Sequence, residues 1–318
     1  MSGDLPAPIM KDFGKARCLI ATARVANIPS VVSNVWAGVA VTILAGGAQH
    51  QVPWAPSLRL ASAGVLLYVS GNFLNDWMDR AWDRQHRPER ALPRGLFPPG
   101  LYLALSSGLG LLGLWFAASV SLPAGIAAAA ILGAISAYTF WHKRSPWAVI
   151  AMGLCRALLP VMGAMGTSGD SAIGLCLAGA VGAGLFFHIA GLSLSARYES
   201  LANPPAVIYR ISRLLFATAA GVAGVAVWQN FPGPWHILLA GLLPYLLWIM
   251  LCLTVWRKPV PTHVSRLLAG IPLVDWMVLL PLALLQAGVM SPLSAVCLAG
   301  PPLAFILALI LQRVAPAT

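Results

Sequence analysis

Apolar runs close to twenty residues long recur along the whole of this chain, and each is long enough to cross a hydrocarbon core of about 30 Å as a helix. They read as spans at 28–46, 57–75, 102–120, 123–141, 147–166, 171–195, 211–229, 235–256, 267–287 and 292–311. The closing pair is joined by so few residues that it reads either as two spans or as one span and a re-entrant segment. With 59% hydrophobic and 9% charged residues among 318, a water-soluble fold would leave far too much apolar surface in water. The expected fold is all-α, a polytopic transmembrane helical bundle of nine or ten spans. It forms a single membrane domain over 1–318, with 1–27 as a cytoplasmic or interfacial segment and 28–313 as the bundle.

A net charge of +11 would suggest nucleic acid for a soluble protein, but here position matters more than the sum. Eighteen of the twenty Lys and Arg residues lie in the N-terminal segment, at every second inter-span loop or at the C-terminal end; Arg59 and Arg156 are the exceptions. This is the positive-inside pattern, not a nucleic-acid surface, and it places the N-terminus and the loop after the second span on the cytoplasmic side. An integral protein of a bacterial inner membrane is the expectation. The five cysteines are scattered without a CxxC pair, so neither disulfides nor a thiolate metal site is implied. The N-terminus lacks a compact signal-peptide design, and the first helix is expected to be retained.

The stretch Gly71 to Gly95, GNFLNDWMDRAWDRQHRPERALPRG, interrupts the apolar pattern and holds four of the nine carboxylates, Asp76, Asp79, Asp83 and Glu89. On a helix, Asn72, Asp76, Asp79 and Asp83 follow i, i+4, i+7, i+11 and share one narrow stripe. Three acids on one stripe repel one another unless a cation joins them. A solvated helix stitched by Asp76–Arg80 and Asp83–Arg87 pairs would relieve this by only about 0.3–0.5 kcal/mol each. The stripe continues the second span without a breaker, however, which carries the acids into the mouth of the bundle. Clustered carboxylates with an amide oxygen are hard ligands suited to Mg²⁺, which is often completed by substrate phosphates. The ligand such a mouth suits is an amphiphile with a diphosphate head and a lipid tail.

Asn75-Asp76-x-x-Asp79-x-x-x-Asp83 resembles the first aspartate-rich motif of the UbiA superfamily of intramembrane prenyltransferases. RPERALPRG, from Arg87 to Gly95, is similar to the arginine-proline segment that follows it there. Tyr138-Thr139-Phe140-Trp141-His142-Lys143-Arg144 is similar to the family's Tyr-Thr/Ser…Lys-Arg element. The resemblance covers most of the chain in span order and loop placement, and implies a bundle of UbiA prenyltransferase type. It also implies that Asp76, Asp79 and Asp83 hold Mg²⁺ on an isoprenyl diphosphate, and that Tyr138 and Lys143 take part in catalysis. Asn72, Asn75 and Arg87 fall to substrate binding. The family's second acidic motif is reduced here to Ser195-x-x-x-Glu199. Arg197 beside it, with Glu199, is a candidate for binding the diphosphate in place of a second metal. This departure resembles a divergent branch of the superfamily found in bacterial ebo gene clusters.

Ionisable groups inside spans are costly and usually face the bundle interior. Counting at 1.5 Å per residue puts Arg156 and Asp275 about 13 Å deep, His188 about 10 Å and Asn34 about 15 Å, all in the half of the bundle nearer the acids. A cavity opening toward the acidic helix is expected. Arg156 reads as a further donor to the departing diphosphate or as half of an ion pair with Asp275 that fixes helix packing. Asn34 reads as a substrate-binding residue, and His188 as a helix contact. The expected activity is Mg²⁺-dependent transfer of an isoprenyl group from its diphosphate to a lipophilic or aromatic acceptor. Glu199 and Asp275 are candidates for the acceptor's base. The alternative is a lipid-binding or transport protein that keeps the fold without turnover. A CDP-alcohol phosphotransferase is excluded, since its aspartate motif begins Asp-Gly, whereas Asp76 is followed by Trp77.

Overall fold

The computed structural model describes residues 14–46, 51–143, 145, 147–167, 171–199, 206–257, 260–287 and 291–314. In these the chain is a succession of helices: α1 (Lys15–Thr22), α2 (Ile28–Ala45), α3 (Trp54–His86), α4 (Pro99–Ala118), α5 (Leu122–Trp141), α6 (Ala148–Met165), α7 (Ala172–Glu199), α8 (Ala206–Asn230), α9 (Trp235–Thr254), α10 (Val260–Ala269), α11 (Ile271–Ala287) and α12 (Pro292–Val314). The expected short interfacial helix is present as α1, though Lys11 and Phe13, assigned to it above, lie outside the described residues. The span expected over 267–287 is instead reached by two helices, α10 and α11, which meet at Gly270.

Among the described residues nine segments are long and apolar enough to cross a membrane, and α3 is not one of them. Its apolar part carries Arg59, Ser57, Ser62 and Ser70. Packing nevertheless runs α3 alongside α5 and α6. At one end a Cβ on Gly166, where α6 stops, would meet both Leu60 and Val120. At the other, Asp79 reaches Lys143 beyond the far end of α5. Helix α3 thus runs from the end of α6 to beyond the end of α5.

Two hydrophobic cores share α2. One joins it to α7, α8, α9 and α11 through residues such as Val41, Leu185, Phe216 and Val278. The other joins it to α3, α5 and α6 through Val35, Leu67, Ile131 and Met162. The approach of α2 to α6 depends on glycine: a Cβ on Gly38 would fall on the Pro160 carbonyl, and one on Gly163 on that of Val35. A third, smaller core of Phe73, Ala91 and Tyr102, with Leu19, Trp77 and Phe97 against it, pins α1 and the 87–98 turn to the mouth. Gly95 closes that turn at φ +68°, a left-handed conformation glycine adopts without strain. The C-terminal parts of α7 and α12 meet α10 through a hydrogen bond between Ser195 and His263 and one from Gln312 to the Ser265 carbonyl.

Candidate active site

The 33-residue α3 carries the acid stripe without a break past its apolar part. Asp76, Asp79 and Asp83 are all buried, Asp83 to 1% exposure. Burying three carboxylates demands partners, and these come from several segments. Arg90 Nη1 donates to Asp76 Oδ1 at 3.2 Å and to Asp83 Oδ2 at 3.0 Å. Arg24 Nη2 stands 3.9 Å from Asp76 Oδ1. Lys143 Nζ lies 2.7 Å from Asp79 Oδ1, and His142 Nε2 3.3 Å from its Oδ2.

The expected one-turn pairs do not carry this neutralisation. Arg80 donates to the Trp77 carbonyl at 2.7 Å and stacks on that ring, while Arg87 lies over Trp82. Neutralisation comes instead from the 87–98 turn and from Arg24, whose φ of +48° turns the chain from α1 toward α2. A non-glycine residue in that conformation is uncommon and held by its surroundings. Here the Arg24 carbonyl accepts from Tyr68 while its side chain faces Asp76.

Two of the acids are shifted in opposite directions. Burial, the largest influence on Asp76, outweighs Arg90 and Arg24 and, with the charges of Asp83 and Asp79, pushes its carboxyl above the ordinary value. Burial also works upward on Asp79, but hydrogen bonds from His142 and Lys143 and their charges bring it below.

Two oxygens on α3 have no partner among the described residues, Asp83 Oδ1 and Asn75 Oδ1, both buried. Buried orphan oxygens need a donor or a cation. No three described His, Cys, Asp or Glu side chains converge into a metal cage. The orphan oxygens beside these carboxylates suit an ion such as Mg²⁺ that arrives with waters and phosphate.

Beside this stripe a cavity of ≈ 820 Å³ runs between α3, α5, α6, α7 and α10. Asn72, Asn75, Arg87, Tyr138, Lys143 and Arg156 line it. Trp82 forms part of the mouth, with Lys143 Nζ 4.3 Å above its ring, and Tyr138 stacks on His142. The carboxylates of Asp76, Asp79 and Asp83 stand behind this basic wall. Asn72 donates to the Ala23 carbonyl at 3.1 Å, and so also ties α3 to the α1–α2 turn.

Deeper in, Arg156 Nη1 donates to Ser30 Oγ at 3.0 Å and Asn34 Oδ1 at 3.2 Å. Asn34 Nδ2 in turn donates to both oxygens of Asp275 at 3.0 Å, and Ser33 donates to Oδ2 at 2.5 Å. The direct Arg156–Asp275 ion pair considered from sequence is replaced by this amide relay. Asn34 lies behind Arg156 and not on the cavity wall, and Asp275 is wholly buried with it. His188 is occupied elsewhere, between the Tyr245 hydroxyl and the Leu267 carbonyl. Arg197 and Glu199 end α7, but their side chains lie outside the described residues. Arg24, Arg90, His142 and Tyr68 were not singled out from sequence; Arg90 and His142 do fall inside the two motif segments quoted above.

A family model described as the UbiA prenyltransferase family matches residues 34–271. The chain is 31% identical over 231 residues to a digeranylgeranylglyceryl phosphate synthase of Halobacterium salinarum, covering 68% of this chain and 78% of that one. It is 35% identical over 121 residues to a protoheme IX farnesyltransferase of Aeromonas salmonicida, covering 36% and 41%. Among solved structures, a UbiA homolog from Aeropyrum pernix K1 superposes with a TM-score of 0.62 at 18% identity, over 77% of this chain and 94% of that one. A digeranylgeranylglyceryl phosphate synthase structure gives 0.55 at 17% identity, over 87% and 100%. At those identities the structural likeness is one of fold.

Proposed function

The chain belongs to the UbiA prenyltransferase family, and from this premise we propose how its own residues carry out intramembrane prenyl transfer. The substrate is an isoprenyl diphosphate, whose head sits at the mouth with its tail in the cavity, and the second substrate is a lipophilic or aromatic acceptor. The basic end of the bundle, and with it the mouth, faces the cytoplasm, in keeping with the loop charges. The observation that carries the proposal is the buried acid stripe with its orphan oxygens, set behind a basic wall on a largely apolar cavity.

Asp76, Asp79 and Asp83, with Asn75, would hold Mg²⁺. When bound, the ion supplies positive charge to the departing diphosphate. Lys143, Arg87 and Arg90 add donors aimed at phosphate oxygens, which bind and orient the head. The C1–O bond breaks with its electron pair going to the diphosphate, the acceptor's nucleophilic atom bonds to C1, and the acceptor's proton passes to water or to the released diphosphate. Ile131, Ile135, Leu159 and Leu192 on the cavity wall exclude water from the allylic centre. Asp275 does not fit as the base, because it is wholly buried behind Asn34.

The test is purified protein in detergent with labelled geranyl, farnesyl or geranylgeranyl diphosphate, with Mg²⁺ or with EDTA. Mg²⁺-dependent binding, and release of inorganic diphosphate once an acceptor is supplied, are expected. Absence of binding to an intact fold would sink the proposal. Tight binding without release over a broad set of acceptors would favour a non-catalytic lipid-binding protein.

A further inference from the structure

The acid stripe is already matched by cations of the chain itself. Asp76, Asp79 and Asp83 face Arg24, Arg90 and Lys143, with every contact at 3.9 Å or less. Among these cations Arg90 has a position of its own. A single nitrogen, Nη1, stands between Asp76 Oδ1 at 3.2 Å and Asp83 Oδ2 at 3.0 Å, and so bridges carboxylates two helical turns apart. That is the place a bridging cation takes between two hard oxygen ligands. The buried oxygens without a partner among the described residues belong to Asp83 itself and to Asn75, whose amide reaches Asp79 at 3.5 Å. Lys143 and Arg24 line the cavity with side chains 35% and 28% exposed, and can meet a phosphate without leaving the acids. The Arg90 bridge is drier, with the Asp83 side chain only 2% exposed.

A bridge this dry does not open by halves. Were Arg90 to withdraw alone, Asp83 would be a buried carboxylate without its cation; were a divalent ion to enter alone, it would meet a guanidinium of like sign in its own place. Both penalties vanish together when a cation takes over the carboxylates and an anion receives the guanidinium. The movement belongs to the side chain, because the turn that carries it is fastened. The Arg90 N–H donates to the Arg87 carbonyl at 3.1 Å, its own carbonyl accepts from Arg94 at 3.1 Å, and Ala91 is buried with Phe73 and Tyr102. Resting on the prenyl transfer proposed above, we propose that Arg90 is an exchangeable occupant of the metal's place, which holds Asp76 and Asp83 until a divalent cation and a diphosphate arrive together and then passes to the diphosphate. The mouth thereby refuses a bare divalent ion, and its acids stay paired between turnovers.

Equilibrium dialysis of the purified full chain in detergent with radiolabelled Mn²⁺, standing in for Mg²⁺, tests this with and without geranyl diphosphate. The native chain is expected to bind Mn²⁺ alone about tenfold or more weakly than with geranyl diphosphate bound. Arg90→Gln binds Mn²⁺ alone about tenfold more tightly than the native chain, and the gain from geranyl diphosphate shrinks by a similar factor. Arg90→Met, which keeps an apolar stem against the turn, repeats the comparison, and Arg90→Lys restores part of the native behaviour. Arg24→Gln removes an equal charge beside Asp76 without vacating the bridge, and raises Mn²⁺ affinity by no more than about threefold. Unchanged or weaker binding of Mn²⁺ alone in folded Arg90→Gln and Arg90→Met, or an equal rise in Arg24→Gln, overturns the proposal. Native binding of Mn²⁺ as tight without geranyl diphosphate as with it bound also overturns it, and is read without any variant, so misfolding does not shelter the idea. The comparison with Mn²⁺ alone contains no isoprenyl compound. Failure of geranyl diphosphate to bind the native chain therefore counts against prenyl transfer itself and leaves that comparison standing.

Discussion

The mouth and the deep end of the cavity both bury charge, and they settle it in opposite ways. At the mouth, carboxylates and cations touch directly, and several of the cations are partly wet: the side chains of Lys143 and Arg24 are 35% and 28% exposed. At the deep end, Arg156 and Asp275 are kept apart by Asn34, Ser30 and Ser33. Direct, partly solvated pairs can be exchanged for an incoming anion at modest cost. A spaced, dry network cannot rearrange without stranding a charge. The first arrangement suits a ligand that arrives charged and leaves more so; the second suits a fixed anchor.

The largest effect that would break this contrast is on turnover. Asp76→Asn combined with Asp79→Asn should lower Mg²⁺-dependent release of labelled diphosphate about a hundredfold or more, with the helical fold retained by circular dichroism. Retained turnover would remove the mouth from the chemistry. Next comes stability at the deep end, where Asn34→Leu strips Asp275 of its amide donor and Arg156 of an acceptor. A loss of about 3 kcal/mol is expected in reversible unfolding in detergent, and native-like stability would mean the relay is not taut. Lys143→Met should cost about tenfold in geranyl diphosphate affinity and less than about 1 kcal/mol of stability, since its partner contact is partly solvated. A stability loss as great as that of Asn34→Leu would erase the distinction.

The smallest effect is a pH signature inside the mouth. The folded state raises the Asp76 pKa, so acidification through that raised value adds stability; Asp79 is lowered, so its contribution is present above the ordinary carboxylate range and is lost as pH falls through its depressed value. The Tm of native protein relative to Asp76→Asn should therefore rise on acidification from neutral pH. Relative to Asp79→Asn it should fall. Slopes of the same sign would show that the two carboxylates share one environment.

Sequence reasoning located most of the helices, because apolar runs near twenty residues mark them. It also found the acid stripe, since 3.6-residue periodicity fixes which side chains share a face. Rotation about each helix axis was not legible. Asn34 is turned behind the wall it was expected to line, whereas His188 packs as the helix contact expected of it. Arg90 was likewise hidden, because its reach to Asp76 and Asp83 depends on how the 87–98 turn folds back on Phe73 and Tyr102. The left-handed Arg24 has no local signal at all, being imposed by the junction of α1 and α2.

Helix α3 runs for 33 residues, about 50 Å, without a kink-forming break between Tyr68 and Asp83. Under the proposed function one rod serves as both tail wall and head site, which makes the negative half of the site its fixed part. Whatever adjustment a longer or shorter substrate demands must come from the positive half, from Arg90 on its turn and Lys143 beyond α5, moving around a fixed axis of acids.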